Sequence, residues 1–396
     1  MNKKYLIFTI ICFLLLSVVF YFFKISRDEV IIPLQQDVKL DLGNCDNFND
    51  NKSEQLNCWD DLVRSSVENY GIAYSLNVLA KLYENPIFAT NCHSFTHTIG
   101  RAAYLQFTKN NKIEVSPKMN YCSFGFYHGF MEELFAKGGD IKTAQDLCYY
   151  MDSQTDNVLK YTSGACFHGM GHGVVDGSNK KDWGNAKAIA EPGLELCNKV
   201  ISNDEEGYRC YSGVFNSIAI AYSGKQYGLI LDSKDPFRVC REEEDKYGRA
   251  CYAEMAAAVM NLVSNDLLKT AQTTENIIND SYAKEVIKNA AGVKVSKIIE
   301  NTDFDFSIII KECQSMPERL QISCIRGFGA SLIEFGQPGN SYLKAFEFCS
   351  EKTLTDEQKL GCFSDSIGLL RVTVNAEQFN MMCNKVEKKY RYLCQI

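Results

Sequence analysis

All five histidines of this chain fall between residues 93 and 172. They occupy three short windows: CHSFTHTIG (92–100), CSFGFYHGFMEEL (122–134) and CFHGMGHGVVDG (166–177). His93 and His97 are four residues apart, as are His168 and His172, and Glu132 follows His128 at the same interval. On an α-helix, residues at i and i+4 share a face, with Cβ atoms ~5–6 Å apart, so one ion can be held by both. Asp176 extends the third pattern by one more turn. Three helices would then offer H-x3-H, H-x3-E and H-x3-H-x3-D. Helical bundles build metal sites in this way, with ligands projecting inward from facing helices.

Five imidazoles and one or two carboxylates exceed the needs of a single four-coordinate ion. They suit a dinuclear centre, or one six-coordinate ion with a spare acid or base. Imidazole takes iron, copper, zinc or nickel, so donor type alone does not select the transition metal; iron, copper and zinc are the expected candidates. The expected ligands are His93, His97, His128, Glu132, His168 and His172. Glu132 is expected to bridge or to act as general base. Asp176 is the second candidate catalytic carboxylate, or a group that orients a ligand. Zinc would give hydrolysis by activated water; iron or copper would give oxidation, towards which a histidine-rich set leans. The alternatives are a non-catalytic helical-repeat binding module with structural histidines, and a b-type haem with two histidine ligands. H-E-x-x-H, Walker A, G-x-G-x-x-G and G-x-S-x-G are all absent.

The cysteines provide a ruler for the elements that must carry these side chains. There are 17, and Cys12 lies in an apolar N-terminal run, which leaves 16. They fall into successive pairs: Cys45 with Cys58, Cys92 with Cys122, Cys148 with Cys166, Cys197 with Cys210, Cys240 with Cys251, Cys313 with Cys324, Cys349 with Cys362, and Cys383 with Cys394. No C-x-x-C occurs, which argues against zinc ribbons, thioredoxin-type redox motifs and c-type haem attachment. An even set of spaced cysteines outside the cytoplasm reads as a disulfide framework. In AFEFCSEKTLTDEQKLGCFSDSIGLL a helix is expected to end near Cys349 and the next to start near Asp356, so a bridge there clamps a helical hairpin. Each such closed loop contributes ~3 kcal/mol by restricting the unfolded chain.

Measured between second cysteines, the steps from Cys122 to Cys166 and on to Cys210 are both 44 residues, and the step to Cys251 is 41. A cysteine-free stretch before Cys313 has room for one extra helical pair. Periods of ~35–45 residues with two helices each mean a solenoid or a closed ring of hairpins. Three residues after the second cysteine stand Gly125, Gly169, Gly213 and Gly327. A glycine that recurs in this way implies close helix packing. The positions two, six and ten after the cysteine form one stripe, with His128 and Glu132, then His168, His172 and Asp176, and later Ser212, Asn216, Arg326 and Glu334. Imidazole occurs only in the early units and so is not part of the packing code. His93 and His97 break this register, and Cys92 is expected to begin a helix of its own. Arg326 and Glu334 are expected to form a surface ion pair.

The fold class is therefore all-α: disulfide-stapled helical-hairpin repeats, an α/α solenoid or toroid, behind an N-terminal transmembrane helix. Residues 1–23 read as a signal anchor, because Tyr5 to Phe23 is an uncharged apolar run long enough to cross ~30 Å of hydrocarbon. Residues 24–44 read as a tether and 45–396 as the helical-repeat domain, with histidine-bearing units at 45–190 and further repeats at 191–396. Lys3 and Lys4 before the run place the bulk of the chain outside the cytoplasm, periplasmic or at the cell surface, with the membrane as partner. A small-molecule or protein ligand is expected but not identified. Hydrophobic residues are 46% and charged residues 23%, values that belong to a globular chain. A net charge of −7 without a basic block argues against nucleic acid as a partner.

Overall fold

Frequent, strong helix starts set the architecture. Asn203 caps its helix through Glu205 N and Glu206 N, with three acids in the first turn. Thr355 with Gln358, and Asn375 with Gln378, form complete capping boxes. Each such cap satisfies amide groups that the helix itself leaves unpaired, and is worth ~1 kcal/mol. The structure is a computed structural model and describes residues 43–48, 51–110, 113–154, 162–299 and 305–395. Among these residues there is helix and no strand. All of them belong to one compact unit, 43–396.

In chain order the helices are α1 (Lys52–Tyr70), α2 (Ile72–Leu82), α3 (Pro86–Asn110), α4 (Gly125–Ala136), α5 (Ile141–Ser153), α6 (Thr162–Gly173), α7 (Ala186–Val200) and α8 (Asp204–Ser223). They continue with α9 (Arg238–Glu242), α10 (Asp245–Leu262), α11 (Leu267–Thr273), α12 (Asp280–Ile298), α13 (Phe306–Gln314), α14 (Glu318–Phe335), α15 (Ser341–Cys349), α16 (Asp356–Thr373) and α17 (Ala376–Cys383). Helices α3, α4, α6, α8, α10, α12, α14 and α16 pack each on the next as an inner layer. The intervening helices form an outer layer, each leaning on an inner neighbour.

The inner layer closes on itself. Ser123 N donates to Glu334 O over 3.1 Å, Asn120 Nδ2 donates to Val372 O over 3.1 Å, and the Tyr83 hydroxyl donates to Phe335 O. The first two join the chain just before α4 to the ends of α14 and α16, and the third joins the α2–α3 connection to the end of α14. Of the two readings left open by the repeat, the closed ring is the one adopted.

Eight disulfides join the cysteines in the sequential order expected. Cys45 bonds to Cys58, Cys92 to Cys122, Cys148 to Cys166 and Cys197 to Cys210. Cys240 bonds to Cys251, Cys313 to Cys324, Cys349 to Cys362 and Cys383 to Cys394. The paired Cα atoms are 5.4–6.1 Å apart, within the span a disulfide bridges. The staples differ in what they hold. Cys349 ends α15, and Cys362 lies two turns into α16, so that bridge clamps a hairpin. Cys313 in α13 and Cys324 in α14 do the same one unit earlier. At the two ends of the domain a short 3-10 turn replaces one helix of the pair. Cys58 in α1 holds the turn Gly43–Phe48, and Cys394 closes the turn Lys388–Cys394 onto the end of α17.

The cysteine-free stretch forms the α11–α12 pair. One expectation is corrected. Cys92 does not begin a helix but lies two turns into α3, which starts at Pro86 with Asn85 accepting from Ile87 N and Phe88 N. Proline suits the first helical position because its missing N–H would have no partner there. The anchor and most of the tether lie outside the described residues; among those described, no helix is long and apolar enough to cross a membrane.

The recurrent glycines lie where neighbouring inner helices touch backbone to backbone. A β-carbon on Gly213 would strike the carbonyl oxygen of His168, and one on Gly327 would strike that of Lys288. Gly368 in α16, by contrast, has open space where its β-carbon would stand. Gly213→Ala is therefore expected to destabilise by ~1–3 kcal/mol through overpacking. Gly368→Ala is expected to stabilise by up to ~1 kcal/mol through helix propensity. Thermal melts of the two variants beside wild type check this contrast, and equal shifts in the two would count against the close-packing account.

Candidate metal centre

The same close approach assembles the histidines. Gly125 lies against the backbone of His93, Gly129 against that of His97, Gly169 against Tyr127 and His128, and Gly213 against His168 and His172. Each glycine on one helix thus admits the histidine-bearing turn of its neighbour. Helices α3, α4 and α6 are drawn together, and their imidazoles meet.

His93, His97 and His128 each offer a nitrogen within 4.8 Å of the other two. The Nε2 atoms of His93 and His97 face one another at 3.1 Å. Their other nitrogens are engaged. His93 Nδ1 donates to the Cys122 carbonyl oxygen over 2.8 Å. His97 Nδ1 stands 3.3 and 3.4 Å from the two oxygens of Glu132. A carbonyl and an ionised carboxylate only accept, so both rings carry their proton on Nδ1. Both Nε2 atoms therefore present lone pairs to the same small space.

His168 and His172 extend the cluster from α6. The His128 ring stacks against each, with centroids 4.9 Å apart in both cases. His172 Nδ1 is 3.2 Å from Glu132 Oε1, but off the hydrogen-bond direction, and its Nε2 is buried without a partner. His128 is 4% exposed, and its Nδ1 is also without a partner. Buried polar atoms left unpaired are uncommon in folded proteins and call for an explanation such as an ion.

Burial lowers the pKa of His93, His97, His128 and His168 and so favours their neutral form. Desolvation, reinforced by His97, lowers His93 to about 4. Desolvation also lowers His97 against the opposing pull of Glu132, and lowers His128 with help from His172 and His168. His168 is lowered to about 3 by burial, His172 and Arg209. For Glu132, burial alone would raise the pKa, but the close approach of His172 and His97 holds the carboxyl well below the usual range.

Glu132 therefore touches the Nδ1 side of two rings, and its Oε2 accepts from the Arg101 guanidinium over 3.0 Å. In this arrangement it orients imidazoles, the position that carboxylates take behind metal-bound histidines. Asp176 is not brought into the cluster. Helix α6 ends at Gly173, before the further turn the spacing implied, and Asp176 is exposed, accepting from Ser178 N and Oγ over 2.8 Å. Arg326 and Glu334 do not pair with each other. Arg326 pairs with Asp365 over 2.7 Å, and Glu334 accepts from Ser123 Oγ over 2.5 Å.

Two contributors were not singled out from the sequence. Arg101 continues the His93/His97 stripe by one turn, so the signal was present. The Cys122 carbonyl had no signal, because its position depends on backbone conformation. Cys122, Ser123 and Phe124 all have positive φ, at 53°, 60° and 60°. Left-handed backbone costs ~1–2 kcal/mol per non-glycine residue. It is held here by the Cys92–Cys122 bridge and the Ser123–Glu334 bonds, and it turns the carbonyl towards His93.

The cluster borders a central chamber of about 410 Å³ within the ring, whose wall includes His93, His128 and His168. Much of the two-six-ten stripe lines it, including Ser212, Asn216 and Glu334.

If Glu132 orients His97 and His172, Glu132→Ala should weaken metal binding 10–100-fold while helix content stays unchanged. Competition with a chromophoric chelator measures this; an unaltered affinity would remove Glu132 from that role. No family model matches this chain, nor does any characterised protein or solved structure.

Proposed function

We propose that this protein is a membrane-anchored, extracytoplasmic metalloprotein whose His93, His97 and His128 hold a transition metal, and that it is a metal-dependent enzyme. The observation that carries the reading is the pair of facing Nε2 lone pairs 3.1 Å apart, each fixed by a bond at the opposite ring nitrogen. Two such lone pairs repel unless they share a proton or a metal cation, and burial opposes the proton. Nitrogens bound to one tetrahedral zinc at 2.0–2.1 Å are ~3.4 Å apart, so a small adjustment admits an ion.

His168 and His172, both stacked on His128, supply donors for a second ion beside the first, and both nitrogens of His172 are buried without a partner. The donor set accommodates iron, copper or zinc, and the metal divides oxidation from hydrolysis. The chamber against the imidazole wall favours catalysis over a purely structural clip, since a clip needs no space for a substrate. The eight disulfides belong to an oxidising compartment. The run from Tyr5 to Phe23 supplies the anchor in this reading.

Elemental analysis of the purified full chain tests the reading. Iron, copper or zinc is expected to co-purify, with about two ions per chain for a dinuclear centre, and to be lost in His93→Ala plus His97→Ala at unchanged helix content. Metal-free wild type that takes up none of the three ions, or undiminished metal in the double variant, would end it.

A further inference from the structure

We propose that Ser123 and Glu334 are positioning residues for the metal centre, so that closure of the ring and metal binding are coupled. The proposal rests on the metal-centre reading and names what regulates that site. The ring closes at one seam, where the α3–α4 connection and Tyr83 meet the ends of α14 and α16. Carbonyls in the last turn of a helix have no partner within it. Glu334, Phe335 and Val372 carry three such carbonyls, and Ser123 N, the Tyr83 hydroxyl and Asn120 Nδ2 donate to them across the seam.

The seam is held differently from the other junctions of the ring. None of the eight disulfides crosses it. The glycine contacts that bring α3 against α4, α4 against α6 and α6 against α8 have no counterpart there among the described residues. A cleft of about 150 Å³ lies between its two sides, lined by Tyr121 and Phe124 on one and by Ile333 and Leu370 on the other. Packed interiors hold few voids larger than a water molecule. Hydrogen bonds therefore carry much of the closure, and a junction with fewer packed contacts opens at a lower free energy than the core.

Those bonds lead directly to a metal ligand. Ser123 donates to Glu334 twice, from N to the carbonyl oxygen over 3.1 Å and from Oγ to Oε1 over 2.5 Å. Its neighbour Cys122 supplies the carbonyl that accepts from His93 Nδ1 over 2.8 Å. Both residues have left-handed backbone, at φ 53° and 60°. Such a conformation persists only where the surroundings hold it. With the Ser123 bonds broken, this stretch is free to relax and the Cys122 carbonyl to turn away. His93 then loses the bond that fixes its ring and keeps its Nε2 lone pair facing His97. An ion bound by His93 acts in the opposite direction, holding ring, carbonyl and Ser123 in place. Coupling between two equilibria is reciprocal, so the metal also closes the ring more firmly around the chamber.

Two measurements on the full chain test this coupling. Hydrogen exchange with and without zinc(II) reads the seam. Zinc is expected to slow the amides from Leu332 to Phe335 about 5-fold or more and to leave those of α11 unchanged. Helix α14 carries none of the histidines, so protection there reports closure and not ligation. Chelator competition reads the reverse direction. Glu334→Ala is expected to weaken zinc binding ~10-fold, while Glu334→Gln, whose amide oxygen still accepts from Ser123, stays near wild type. Equal losses in the two variants would make the effect one of charge and overturn the positioning role. Unchanged affinity in the alanine variant, or zinc binding without protection of α14, would overturn it too. Should Glu334→Ala fail to fold, the exchange result in wild type decides alone. Zinc binding with an unprotected seam removes the coupling and leaves the metal centre standing. Wild type that takes up no zinc removes the coupling, and refusal of iron and copper as well removes the metal centre with it.

Discussion

Backbone contact between successive inner helices is the constraint on which the other features depend. Side chains usually keep packed helices 8–10 Å apart. Here Gly125, Gly129, Gly169 and Gly213 remove the intervening β-carbon and let the backbone of one helix rest on the next. An imidazole reaches only a few ångströms from its helix. Helices at ordinary separation would hold the five rings apart, in separate interfaces. At glycine contacts, rings from α3, α4 and α6 come within 4.8–6.1 Å of each other between centroids. The same residue type therefore does two things: it brings inner helices into backbone contact at several steps of the ring, and in the early units it concentrates histidine.

Close contacts of this kind need a frame that resists opening. The disulfides clamp outer helices to inner ones, and the closing bonds from Asn120 and Ser123 tie the first histidine-bearing hairpin to the last repeats. The closure also reaches the site itself. Ser123 belongs to the left-handed stretch that aims the Cys122 carbonyl at His93, and its partner Glu334 lines the chamber. Ring closure, imidazole orientation and chamber wall thus meet within three residues.

Much of this was legible in the sequence because cysteine and glycine report on geometry. Cysteine spacing marked the hairpins, down to the terminal staples at Cys58 and Cys394, and glycine at a fixed offset marked the helix contacts. Histidine absent from the later units separated chemistry from packing. What was not legible depended on where helices begin and end, and on contacts distant in sequence. Asp176 fits an i+4 pattern, but α6 stops at Gly173, in a segment where Gly169, Gly171 and Gly173 weaken helix propagation. Cys92 resembled a helix start because its window breaks the repeat register, whereas Asn85 and Pro86 supply the start upstream. Glu334 was visible on the stripe, but its partner Ser123 lies 211 residues away, and only ring closure brings them together.

The central claim is that imidazoles delivered by glycine-packed helices share a metal ion. X-ray absorption at the edge of the metal in the purified protein tests it most directly. The account predicts a first coordination shell of nitrogen at ~2.0–2.1 Å if the ion is zinc, with the multiple scattering of several imidazoles, reduced when His93 and His97 are replaced. A shell dominated by sulfur or by oxygen without imidazole scattering, or no metal edge above background, would contradict it.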